Sequence, residues 1–140
     1  MSPFDDVNKL CYMMPYERLE AWKYAHEFAV AIYTVTKSFP KSELYGLTSQ
    51  IRRAAFSVPA NIAEGASKRG STEFRRFLDT ALGSFAEVSY ALRFARDVGV
   101  LEPADYARLE LLRVRVGKLT WGLYAAIAKN ARSRLVSNSA

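Results

Sequence analysis

The chain has one cysteine, Cys11, and one histidine, His26, in 140 residues, and that scarcity removes several kinds of chemistry at once. A lone cysteine closes no internal disulfide, so the stapled framework of a small secreted domain is excluded and a reducing, cytoplasmic home is expected. Cys11 has no zinc-ligand companions at a familiar spacing. Di-iron bundles draw on two Glu-x-x-His pairs, which one histidine cannot supply, and neither metal nor cofactor is expected. No apolar run approaches the roughly 20 residues that cross a bilayer. No basic-then-apolar leader opens the chain either, so a soluble protein without a membrane partner is expected. Period-two alternation is missing, which leaves strands without a signal. Acid is missing from one region only. All 14 Asp and Glu lie at or before Glu110, whereas Arg113, Arg115, Lys118, Lys129, Arg132 and Arg134 follow it and carry the net charge of +6.

What is present is apolar residues at helical spacing. Half of the chain is hydrophobic and 13% is aromatic, enough for one packed domain. Leu19, Trp22, His26, Ala29, Tyr33 and Thr36 recur by threes and fours, which predicts a helix over 17–38 that stops at Phe39-Pro40. Ser42 is a candidate cap for a second helix over 43–66, with Leu47, Ile51, Val58 and Ile62 inward and Gly65 at its end. A third helix over 72–98 is the most regular, Phe74, Ala81, Val88 and Ala95 alternating with Leu78, Phe85 and Leu92, with Ser71 as cap. Pro103 suits the first turn of a fourth, over 103–130, whose stripe is Leu109, Leu112, Val116, Leu119, Leu123 and Ile127. Short connections make sequential helices antiparallel neighbours. The expected fold is all-α, an up-down-up-down four-helix bundle over 16–130, with an extension at 1–15 and a polar, basic tail at 131–140.

The candidate sites are few. His26 lies on an apolar stripe and reads as a packed residue. The loop Gly65–Gly70 has the glycine spacing of a phosphate-binding loop, but Ser71 stands where the phosphate-reaching lysine belongs and no strand precedes it. Pro59 is expected to kink the second helix or shift its packing. Gln50, Ser57, Asn61 and Glu64 flank that helix's stripe, and Ser84 and Glu87 flank the third. If the flanks meet, Arg53, Asn61, Glu64, Ser84 and Glu87 form a partly buried polar network that fixes register. A Glu64/Glu87 acid–base pair is the enzymatic alternative, and the absence of any nucleophile, metal cluster or cofactor motif weighs against it. Arg115, Lys118, Lys129 and Arg132, with Lys68 and Arg69, are candidates for an RNA or DNA backbone. Leu111, Val114 and Trp121, outside the core stripe, are candidates for an oligomer interface. The competing reading is a scaffold for another protein, with those cations in intersubunit ion pairs or solvent.

Beyond periodicity, Tyr16-Glu17-Arg18-Leu19-Glu20-Ala21-Trp22, Phe39-Pro40, Gly46-Leu47, Gln50-Ile51-Arg52-Arg53-Ala54, Asn61-Ile62-Ala63-Glu64-Gly65, and Gly83-Ser84 with Glu87 carry a family resemblance. The sequence resembles the bacterial four-helix-bundle proteins encoded in intervening sequences of 23S ribosomal RNA genes, also called the S23 ribosomal protein family, over about residues 16–128. Phe56 and Pro59 depart from its usual pattern. The resemblance implies a helical bundle assembling as a homopentamer, with an architecture similar to nucleic-acid-binding accessory proteins of diversity-generating retroelements. It implies no catalytic activity.

Overall fold

A computed structural model describes residues 13–139; Cys11 and the rest of 1–12 lie outside the described residues. A 3-10 turn, Pro15–Arg18, leads into α1, Glu20–Thr36. A second short turn, Lys41–Glu43, precedes α2, Leu47–Ala66. Then come α3, Ser71–Asp97, and α4, Pro103–Asn138. The described residues are otherwise loop and contain no strand. Each of α2 and α4 packs against both α1 and α3, with no diagonal contact, which is the square section of a four-helix bundle.

Contacts across the seams show the alternating directions. Ser57 meets Ser84 while Gly65 faces Phe77, so α2 and α3 run antiparallel. Gly117 faces Phe85 and Tyr106 faces Arg96, so α3 and α4 do too. The core is Phe28 and Ile32 from α1, Ile51, Val58 and Ile62 from α2, Leu78, Val88 and Leu92 from α3, and Leu109 and Val116 from α4.

The helix starts differ from expectation in instructive ways. Ser42 caps nothing; it sits within the turn, α2 begins at Leu47, and the Glu43 carboxylate accepts the Leu47 N–H at 3.4 Å. Ser71 is the first helical residue of α3, and Gly70 holds the cap position at φ 94°, a conformation glycine adopts without steric cost. Gly65 does not end α2. It is buried one residue before the helix terminus, where an added Cβ would lie 2.7 Å from Phe77 Cβ and 3.0 Å from Phe74 Cδ1. Its role is close helix approach. Pro59 is buried inside α2, and the helix continues through it.

Helix α1 buries a stripe one position away from the expected one. Ala21, Ala25, Phe28, Ile32 and Thr36 face the core, whereas His26 and Tyr33 are exposed and Trp22 is half-buried. Both stripes have helical spacing, so periodicity alone does not choose between them. The bundle takes the side chains without polar ring atoms and leaves the amphipathic rings at the water boundary. Helix α4 continues through the segment expected to be a tail, reaching Asn138 and a length of about 54 Å.

Two buried features set stability predictions. The Thr120 hydroxyl is fully buried with no hydrogen-bond partner among the described residues. Thr120→Val keeps the shape and removes that orphan, and chemical denaturation should show it about 1 kcal/mol more stable. Gly65→Ala should cost about 1–3 kcal/mol, because the backbones of α2 and α3 must separate. On α4 the Arg113 guanidinium grips the Glu110 carboxylate, Nη2 to Oε2 at 2.8 Å. The hydrogen bond from Arg113 chiefly, against the opposing cost of burial and with help from the arginine's charge, holds the Glu110 pKa below the usual carboxylate range. A depressed folded pKa means stability that is complete above the unfolded carboxylate's pKa and lost as pH falls through the folded one. Urea midpoints measured downward from neutral pH should therefore fall more steeply for the native protein than for Glu110→Gln.

Candidate nucleic-acid interface and neighbouring surfaces

The polar flanks of α2 and α3 do meet, through fewer residues than expected. Asn61 Nδ2 donates to the Ser57 carbonyl at 2.8 Å and to Ser57 Oγ at 2.9 Å, and the Ser57 and Ser84 hydroxyls share a hydrogen bond of 2.7 Å. Small hydroxyls suit a seam that Gly65 makes narrow. Glu64, Glu87 and Arg53 are exposed and stand outside this network. Their side chains are long enough to keep their charges in water, which avoids the desolvation cost of burial. Taking Ser57 and Ser84 as level, the helical rise separates Glu64 from Glu87 by about 15 Å along the bundle. That spacing does not assemble a carboxylate pair in one chain. Glu87 instead borders a cleft of about 460 Å³ with Gln50, Arg53, Ser57 and Ser84.

The cations divide into two groups. Arg115 lies over the Tyr24 ring at 4.6 Å, so its side chain is held against α1. Lys118, Lys129 and Arg132 are exposed on the outer side of α4. Near the lower end of the bundle, Lys68 reaches over the Phe77 ring at 5.3 Å, and Arg69 shares a recess of about 240 Å³ with Arg134 of α4, beside Ser71, Thr72 and Glu73. The fold thus brings the α2–α3 loop and the last turns of α4, which are distant in sequence, to one end. Arg134 is the residue that sequence reasoning missed. The available signal was the lack of any glycine or proline after Gly122, which leaves nothing to stop the helix short of it.

Two apolar surfaces remain open. Leu111, Val114 and Trp121 are exposed, Leu111 to 77% and Trp121 to 57%, with Trp121 edge-on to Tyr124. They lie on the outer stripe of α4, on the same side as Lys118. Between α1 and α2 runs an aromatic groove of about 530 Å³ that periodicity did not reveal. Trp22 and His26 stack along it with centroids 5.1 Å apart. Arg52 covers the Tyr33 ring at 3.9 Å while donating to Thr36 Oγ1 at 2.8 Å. Lys37, Arg52 and His26 are the lining residues other than tyrosine that carry ionisable groups, and no carboxylate is among them. The unused alternative stripe of α1, displaced by one residue from the core, was the sequence trace of this groove. Among the described residues no cluster of three or more metal-ligating side chains forms, and no helix is long and apolar enough to cross a membrane.

No curated protein matches the chain. Among solved structures, a protein of unknown function from the S23 ribosomal protein family of Bacteroides thetaiotaomicron superposes with a TM-score of 0.66. The alignment is 22% identical and covers 74% of this chain and 97% of that one, a likeness of fold. The family described as 23S rRNA-intervening sequence protein matches residues 17–122, from the turn before α1 to the middle of α4. A four-helix bundle of this topology, matched over most of its length, belongs to the family of 23S rRNA-intervening sequence proteins.

Proposed function

We propose that the protein is a non-catalytic, homo-oligomeric scaffold, a ring of five by the resemblance, that holds RNA or DNA by its phosphate backbone. The observation that carries this reading is the basic end of the bundle. Lys68, Arg69 and Arg134 meet there from two separate elements, Arg132 lies beside Lys129 on the outer side of α4, and none of the four makes an ion pair among the described residues. Glu73 of the same recess is engaged by Arg76 at 3.2 Å, and cations left without a partner are the electrostatic footprint of a polyanion site, with no base-reading motif beside them. Repetition around a ring multiplies a modest patch into a continuous belt. Lys118 and Lys129 extend the positive surface up α4, whereas Arg115, stacked on Tyr24, adds charge without a free fork.

A second reading has its own observation. The aromatic groove between α1 and α2 is mostly apolar and suits a partner protein, which makes the bundle a protein-interaction scaffold. An enzyme built on Glu64 and Glu87 finds least support, given their separation along the bundle.

Titration of single- and double-stranded RNA and DNA of mixed sequence separates the two leading readings. Log K should fall by about 0.7 to 0.9 per phosphate contacted for each tenfold rise in salt, with little sequence preference. Reversing Lys68, Arg69, Arg132 and Arg134 to glutamate should remove binding while leaving assembly intact. No binding at low salt, or binding indifferent to the reversal, would leave the protein-interaction reading.

A further inference from the structure

Helix α4 is apolar on two sides. Its inner stripe is consumed by the core, and its outer stripe, Leu111, Val114, Lys118, Trp121, Ala125 and Lys129, repeats the same three-four spacing in full view of solvent. A second stripe of that regularity is the pattern of a helix that packs on both faces. It mixes apolar residues with cations and holds no acid.

Three surfaces on the same chain are open to receive it: the α1–α2 groove, the outer stripe of another α4, and the outer face of α3 where it borders α2. Charge decides among them. The groove offers Lys37 and Arg52, and a facing α4 offers lysines, so both oppose cation to cation. The α2–α3 face is the one of the three that carries carboxylates, exposed Glu64 and Glu87, beside the exposed Arg53 and the exposed rings of Tyr90 and Phe94.

Position along the bundle then matches residue by residue. Ser57 is level with Ser84, and Gly117 is level with Phe85. Counting the rise from those two contacts, Leu111 and Val114 stand within about 3 Å of the height of Tyr90. Lys118 stands about 4.5 Å from the height of Glu87, within a lysine's reach. Lys129 stands about 6 Å below Glu64, and Trp121 about the same distance above it. Copies placed side by side with parallel axes and no axial shift therefore set rings against aliphatics and carboxylates against amines.

We infer that the outer stripe of α4 docks on the α2–α3 face of a second copy of this chain, with Lys118–Glu87 and Lys129–Glu64 as intersubunit ion pairs. The contact is heterologous, joining two different patches. The α4 corner and the α2–α3 face do not point in opposite directions, so each added copy turns relative to the last, as closure into a ring requires and a straight fibre does not. The inference rests on the homo-oligomer reading and gives it an interface. It also assigns Lys118 and Lys129 to assembly and leaves the four cations of the bundle end for phosphate.

Sedimentation velocity at micromolar concentration tests it, with circular dichroism confirming that each variant is helical. Glu87→Lys and Lys118→Glu should each weaken assembly about tenfold, and the double reversal in one chain should restore it. Leu111→Arg/Val114→Arg spoils the stripe and Tyr90→Arg/Phe94→Arg spoils the face. Each variant alone should stay monomeric, and an equimolar mixture should form a one-to-one dimer, because each copy keeps the patch the other lost. A native protein that is monomeric overturns the oligomer reading together with this interface. A native oligomer overturns the interface alone if the face variant still assembles by itself, or if the double reversal does not rescue.

Discussion

The close approach of α2 and α3 is the constraint from which the other features follow. It exists because Gly65 has no Cβ to meet Phe77 and Phe74, and because the groups facing each other farther up the seam are two serines that share one hydrogen bond. A narrow seam has room for hydroxyls and methyl groups and none for carboxylates. Glu64 and Glu87, carried on the same two helices, are therefore turned outward, where water solvates them at no cost. The outward position of both carboxylates is a consequence of how tightly the inner seam is drawn.

Helix α4 answers this asymmetry from the other side of the bundle. It supplies a core stripe like its partners, yet every acid is gone after Glu110, and Arg113 already engages the Glu110 carboxylate. Arg108 engages Asp105, and the cations after Arg113 find no further acid along the helix. Carboxylates stand on the outer face of α2–α3, beside Arg53, and cations without carboxylates on the outer stripe of α4.

The aromatic groove between α1 and α2 has a related origin. Two apolar stripes run along α1, one position apart, and only one can face the centre of a square bundle. Phe28 and Ile32 are wholly buried there, which leaves Trp22, His26 and Tyr33 as the wall of a surface groove. Arg52 then stacks on Tyr33 and anchors itself to Thr36, holding the top of α1 to α2. Rings with polar atoms are suited to that boundary, so the same composition that builds the core also builds the groove.

The number of helices, their order, the antiparallel topology and most of the inward residues of α2, α3 and α4 were legible in the sequence, because a three-four repeat of aliphatic residues admits one burial solution when no competing stripe exists. The cap at Gly70, the start of α2 at Leu47 and the packing role of Gly65 were not, since each depends on atoms from another element: a turn's exit direction, a carboxylate folded back, two phenylalanines across a seam. The site was less legible than the fold. That the chain has surplus base, and where it begins, is a property of composition. That Lys68 and Arg69 share an end with Arg132 and Arg134, that Arg115 is held by Tyr24, and that Glu64 and Glu87 stand about 15 Å apart on an outer face are decided by the register of antiparallel helices. Register is a long-range quantity. It is fixed by which side chains interlock across the seams, and no local stretch of sequence contains it.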